Sequence, residues 1–281
     1  MSVAVQFSLN RMSAPRMPFA DYVGLCRRLG VQAIEIRNDL PGIELVDGTP
    51  AERIKEATQA AGLEILTINA LQRFEQFDAT RAEEAVALAK YAAGCGAKAL
   101  VMCPTNSVLD SRTAAERHVD YVAALKQLKP ILDDHGVLGL VETLGFEECA
   151  LRRKSDAVKG IYDAAAERHF KLVHDTFHHH LSGEDIFFPD LTGLVHISGV
   201  EDGTVPVSGM RDRHRVLVGC GDRLGNIRQL IALRERGYRG HISFEPFAEE
   251  IAQASDIEAL LRESMAHVRI GVEAARLREA A

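Results

Sequence analysis

The sequence predicts an α/β fold, a (β/α)8 TIM barrel formed by one domain spanning residues 1–281. Three observations predict it. Eight short apolar runs mostly alternate with amphipathic helical segments, the pattern of a parallel sheet covered by helices. No Pro/Gly/Ser-rich linker, composition break or low-complexity tract divides the chain, and barrels of this class fill such a length as one domain. No GxGxxG follows the first apolar run, which disfavours a doubly wound open sheet.

The elements follow in order. VAVQFSL (3–9) reads as the first strand, with Pro15 and Pro18 in the loop behind it. Residues 19–30 have helical spacing and stop at Gly30, and VQAIEIR (31–37) is the second strand. A helix runs over 49–61, with Thr49 as its N-cap and Pro50 in its first turn. LEILTIN (63–69) is the third strand, the helix opened by Asp78 runs to about residue 93, and AKALVMC (97–103) is the fourth strand. Ser111 starts a helix that reaches about Asp134, with His135-Gly136 as its stop. VLGLVE (137–142), a helix over 155–169 and FKLVHD (170–175) come next. Segment 176–190 reads poorly as a helix. LTGLVHIS (191–198) is strand seven, a helix spans 222–236, RGHISFE (239–245) is strand eight, and a closing helix runs from Ser255 to about Glu279.

Composition narrows the function. At 47% hydrophobic and 26% charged, the chain has ordinary globular composition. The net charge of −7 argues against a nucleic-acid partner, which a net basic domain would suit better. The local run Arg152-Arg153-Lys154 reads as a solvated helix end. Five cysteines without a CxxC pair read as reduced thiols, and no leader or membrane-length apolar run is visible, so the expected location is cytoplasmic.

Four strand-like runs end on a residue that can bind a metal. GLVE ends on Glu142, LVHD on Asp175, the GLVHISG run on His196, and HISFE on Glu245. In a (β/α)8 barrel the functional face is the C-terminal end of the strands, so the four would meet on one side of its mouth. Three carboxylates in a low-dielectric site repel one another unless a cation neutralises them. Carboxylate-rich ligation with one imidazole suits one divalent metal ion, Mn2+ first, with Mg2+, Co2+ or Zn2+ as alternatives.

This pattern resembles the xylose-isomerase-like TIM barrels, a superfamily of sugar isomerases, ketose 3-epimerases, hydroxypyruvate isomerases and AP endonucleases. The resemblance covers essentially the whole chain. Within it, AIEIRNDL (33–40), Asp175 to His180, VHISGVEDGTVP (195–206) and HRVLVGCGD (214–222) look closest to inosose (2-keto-myo-inositol) isomerases. The resemblance implies that Glu142, Asp175, His196 and Glu245 bind one divalent cation, and that Glu142 and Glu245 also act as catalytic acid and base. It implies that His178 contacts a substrate oxygen or the metal, and that Arg215 orients the substrate. The chemistry agrees, because moving a carbonyl to the adjacent carbon requires removing a proton α to it and stabilising an enediolate. The expected partner is a small polyol or ketose, with no nucleic acid or membrane and with homo-oligomer formation open.

Two other classes compete. An endonuclease-type phosphodiesterase would use a D-x-H pair, which Asp212-Arg213-His214 supplies, but it would also need histidines at strand ends three and four. Asn69 and Cys103 stand there, and Cys103 before Pro104 reads as a packed thiol. A non-catalytic sugar-binding barrel would not need both glutamates. Gly219, Gly221 and Gly225 read as a turn and helix start rather than a phosphate loop, so the substrate is expected to be uncharged.

Overall fold

Each of the eight apolar runs becomes a strand, and the strands pair in chain order. The computed structural model describes residues 5–279, and in it eight parallel strands close into one barrel in which β8 returns to pair with β1. The order is β1 (Phe7–Asn10), α1 (Phe19–Leu29), β2 (Ala33–Arg37), α2 (Ala51–Ala60), β3 (Glu64–Gln72), α3 (Ala79–Cys95), β4 (Ala99–Cys103) and α4 (Ala114–His135). The second half is β5 (Leu138–Glu142), α5 (Lys154–Asp163), β6 (Phe170–Asp175), α6 (Thr176–Ser182), β7 (Thr192–Ile197), α7 (Asn226–Glu235), β8 (Ile242–Phe244), α8 (Glu249–Ala252) and α9 (Ile257–Glu279). Val3 and Ala4 of the expected first strand lie outside the described residues.

Local chemistry moves several boundaries. α4 starts after Thr113, not Ser111, because Thr113 and Glu116 form a reciprocal capping box. Pro50 rather than Thr49 is the N-cap of α2. α7 starts four residues later than expected, because Asp222 accepts the N–H groups of Leu224 and Asn226 and holds a turn there. α5 ends at Asp163, and Ala165 then turns the chain at φ +49°. Segment 176–190 does contain a helix, the short α6, because the Asp175 carboxylate caps its first N–H groups.

The barrel interior is layered by the two-residue period of its strands. Ala33, Leu66, Ala99, Val101, Leu140, Val173 and Leu194 form an apolar plug contributed by β2 to β7. Two residues further along their strands, the same faces carry Glu35, Cys103, Glu142, Asp175 and His196. The floor is thus apolar, and the next layer toward the C-terminal mouth is charged. A second core, between barrel and helices, gathers Leu9, Ile34, Ile68, Leu100, Val141, Leu172 and Phe244 against the inner helix faces. A smaller cluster under the mouth loops contains Phe146, Phe177, Val200 and Met210.

The loop after β5 is fastened to α6 by a close backbone approach. A Cβ on Gly145 would collide with the carbonyl oxygen of His178 and stand 2.7 Å from the Cβ of Leu181. Gly145→Ala should therefore destabilise the protein by about 1–3 kcal/mol, the usual cost of overpacking. Gly203→Ala meets no atom within 4 Å and serves as the control. Equal thermal midpoints for the two variants would contradict this packing.

Candidate functional site

Glu142 closes β5, Asp175 closes β6, His196 lies one residue before the end of β7, and Glu245 follows β8. The Glu245 N–H still donates to the Ile197 carbonyl, so the ladder holds it in place beyond the strand. Asp175 and His196 are register partners across β6 and β7. All four side chains are buried, and one donor atom from each lies within 4.8 Å of the other three.

The contacts inside this cluster are dense. His196 Nδ1 faces Glu142 Oε1 at 3.0 Å and Glu245 Oε2 at 3.2 Å, and its Nε2 faces Glu35 Oε2 at 3.1 Å. Arg215 Nη2 donates to Asp175 Oδ2 at 2.6 Å and to Glu245 Oε2 at 3.0 Å. Arg37 Nη1 and Asn10 Nδ2 donate to Glu245 Oε1 at 2.9 and 3.1 Å. Asp175 Oδ1 accepts the N–H groups of Phe177 and His178 at the start of α6. Glu142 is less encumbered: among the described residues, beyond His196, only the Cys103 thiol reaches it within hydrogen-bond distance, at 3.5 Å.

The electrostatics follow from burial and charge. Burial would raise the carboxyl groups of Glu35 and Glu245, but the neighbouring His196 overrides it and holds both down at about 2, helped at Glu245 by Arg215 and Arg37. Burial would depress His196, yet Glu245, Glu35 and Glu142 together hold it well above its ordinary value. The buried carboxylates Glu35, Glu142, Asp175 and Glu245 outnumber the buried guanidiniums of Arg37 and Arg215 by two, and still exceed the positive charge when the His196 proton is counted. A divalent cation would offset that excess, and three carboxylates with one imidazole are a donor set for it. The residues present therefore fit a metal ion.

Other expected residues fall into place differently. Arg215 is not a surface side chain: it is 1% exposed, it also bonds Ser198 and Asp212, and its guanidinium lies 4.6 Å from the centre of the Phe247 ring. His178 is buried on α6 beside Phe146 and Phe177, and among the described residues its Nδ1 has no hydrogen-bond partner. His179 packs instead against His174 and Phe187. Asp212 and His214 do not join the cluster, since Asp212 pairs with Arg215 and His214 Nδ1 accepts the Arg211 N–H. Asn69 is not at a strand end, because β3 runs on to Gln72, and its amide donates to Glu35.

Lys154 corrects the reading of the basic run as a solvated helix end. Its side chain is 2% exposed, and among the described residues its ammonium makes no hydrogen bond or ion pair, although Glu184, Asp175 and Glu142 act on it electrostatically. Residues missed in the sequence are Glu35, Arg37 and Asn10. The available signal was AIEIR itself, where two charged residues at alternate positions share one face of an apolar strand.

Comparison with known proteins is consistent with this architecture. The model of the xylose isomerase-like TIM barrel family matches residues 23–270. An inosose isomerase of Halalkalibacterium halodurans is 28% identical over 247 residues, which cover 84% of this chain and 85% of that protein. The crystal structure of a xylose isomerase domain containing protein from Salmonella typhimurium superposes with a TM-score of 0.88 at 32% identity, covering 95% of this chain and 99% of that one. The IOLI protein, solved with a bound zinc atom, superposes with a TM-score of 0.84 at 22% identity over 95% of this chain and 98% of its own.

Burial of Lys154 has a measurable consequence. Desolvation brings its ammonium from 10.5 down to about 8, against the pull of Glu184, Asp175 and Glu142. Between these two values the unfolded chain holds a proton that the folded chain has released, so unfolding free energy rises with pH through that window. Lys154→Met should be more stable than the wild type below pH 8, by a difference on the order of 3 kcal/mol, and this advantage should vanish toward pH 10.5. Urea unfolding of both proteins at pH 7.5 and pH 10 measures it. Parallel curves would show that the ammonium is not desolvated.

Proposed function

We propose a function from one premise: this chain belongs to the xylose isomerase-like TIM barrel family. It is an isomerase acting on a small polyol ketone, it depends on one divalent metal ion, and its preferred substrate is an inosose. The observation that carries this reading is the convergence of Glu142 and Glu245 on the same nitrogen of His196, with Asp175 beside them. The name of the Halalkalibacterium halodurans relative supports the substrate. A hydroxypyruvate isomerase would use the same residues on another ligand, and a ketose 3-epimerase would use them to return the proton to the same carbon from the opposite face. The oxygen-rich donor set favours Mn2+ over Zn2+.

Glu142, Asp175, His196 and Glu245 would hold the ion. When bound, it supplies positive charge against which a ketone oxygen can become negative. The two glutamates move the proton between neighbouring carbons through an enediolate. Glu142 takes the proton first. Glu245 is tied to Arg37, Arg215 and Asn10, whereas among the described residues Glu142 meets only His196 and the Cys103 thiol, so Glu142 is the freer of the two to reach a substrate C–H. Arg215 orients Asp175 and Glu245, and through them the substrate. His178, with its Nδ1 unpaired, contacts a substrate oxygen.

The substrate is uncharged. A Cβ on Gly221 would stand 3.3 Å from the carboxylate of Glu201, and Gly219 approaches it more closely still. A phosphate in that turn would meet a negative charge. The endonuclease reading finds no support, since Asn69 and Cys103 are both engaged with glutamates of the cluster. The five free cysteines suit the cytoplasm.

Metal analysis and a panel of inososes, ketohexoses and hydroxypyruvate followed by NMR test the reading together. One ion per chain is expected, lost from Asp175→Ala and His196→Ala. Glu142→Gln and Glu245→Gln should each lower turnover by roughly 10²- to 10⁴-fold, the ordinary range for a general acid–base group, with metal retained. Exchange of the substrate α-proton with deuterium should disappear in Glu142→Gln and persist in Glu245→Gln. The opposite pattern would reverse the two roles, and turnover of phosphorylated sugars alone would overturn the substrate.

A further inference from the structure

Glu35 is a buried carboxylate that the proton-transfer scheme does not use. It lies on β2, outside the four converging ligands, and is fully buried. Its Oε2 accepts from Thr67 Oγ1 at 2.6 Å and from Asn69 Nδ2 at 3.0 Å, and its Oε1 accepts from the Ser243 hydroxyl. Among the described residues, no hydrogen bond or ion pair from an arginine or lysine to it is seen, and its charged neighbour is His196. Asn69 Nδ2 also donates to Thr67 Oγ1 at 2.8 Å, which leaves the Thr67 proton free to point at Glu35. Every neighbour is therefore a donor, and the carboxylate is held as an acceptor.

We propose that Glu35 fixes the tautomer of His196, so that Nδ1 and not Nε2 is the nitrogen offered to a divalent cation. This rests on the reading of Glu142, Asp175, His196 and Glu245 as a metal site. A ligating imidazole keeps a proton on one nitrogen and gives its lone pair from the other, and the hydrogen bond at the far nitrogen selects which. An ionised carboxylate can only accept, so the 3.1 Å contact between Glu35 Oε2 and His196 Nε2 requires a proton on Nε2. The opposite nitrogen faces Glu142 and Glu245, where the ion would sit. Glu35 is not itself a fifth ligand, because its oxygens are turned to Thr67, Asn69, Ser243 and His196. It is a positioning residue, and β2 enters the site through it.

Glu35→Gln separates this role from simple filling of space. The amide has nearly the same shape but can turn either its oxygen or its NH2 toward Nε2. The NH2 orientation would place the proton on Nδ1 and remove the lone pair from the cluster. Titration of metal-free protein with Mn2+ in a calorimeter should show affinity falling by roughly 10- to 100-fold, the range for loss of such a partner. Turnover should recover when Mn2+ is raised to saturation. Ser243→Ala, which removes one donor to Glu35 but leaves the Nε2 contact, should bind Mn2+ within about threefold of wild type. In Zn2+-loaded wild type, the 15N spectrum of the His196 ring should show Nε2 protonated and Nδ1 bound to metal. That readout does not depend on how either variant folds. Unchanged Mn2+ affinity in Glu35→Gln, or Zn2+ on Nε2, would overturn the role of Glu35 while leaving the metal site standing. Absence of any cation binding in the wild type would overturn both.

Discussion

Four carboxylates buried at the mouth of one barrel are the constraint on which the rest of this structure depends. Ionised groups in a poorly solvated site are tolerated only when opposite charge or hydrogen bonds surround them. The chain supplies two guanidiniums, an imidazole flanked by glutamates on both sides, and a set of hydroxyl and amide donors from β1, β3 and β8. These still leave the carboxylates in excess. Such an excess is chemically suited to a cation, and the arginines that hold Glu245 and Asp175 fix the geometry of the carboxylates in the protein alone.

The barrel makes this arrangement possible through strand alternation. The faces that carry the apolar plug carry the acid layer two residues later, so the site stands on a dry floor. Parallel register then places neighbours side by side, as with Asp175 and His196. The position of each cluster residue is therefore set by hydrogen-bonded backbone rather than by a loop. Two of the mouth loops, those after β5 and β7, are packed by Phe146, Phe177 and Met210.

Much of this was legible in the sequence. Glu142, Asp175, His196 and Glu245 each end a short apolar run, and four such endings in successive βα units are hard to produce by accident. The eight-strand barrel was legible for the same reason, through periodicity and glycine stops. Glu35 and Arg37 were legible only as two charges on one face of AIEIR, because that alternation does not say which face is the interior until the barrel closes. Lys154 was hidden by its neighbours. Arg152 is half-buried and Arg153 exposed, which makes the run look solvated, while the first residue of α5 turns inward. Helix starts moved by two to four residues wherever a nearby Asp or Thr side chain decided the cap, which periodicity does not register.

Asp175 uses its two oxygens in different structures. One begins α6 by accepting two backbone N–H groups, and the other meets Arg215 among the site carboxylates. This limits which sequences can occupy the position during evolution or directed engineering. Asparagine keeps the helix start but loses the charge, and glutamate keeps the charge but carries both oxygens past their partners by one methylene. Only aspartate serves both, so a lineage exploring new sugars has no neutral path through position 175. His178, three residues on, has no hydrogen-bond partner at Nδ1 among the described residues, so its ring carries no such double duty and position 178 is free of the constraint that holds position 175.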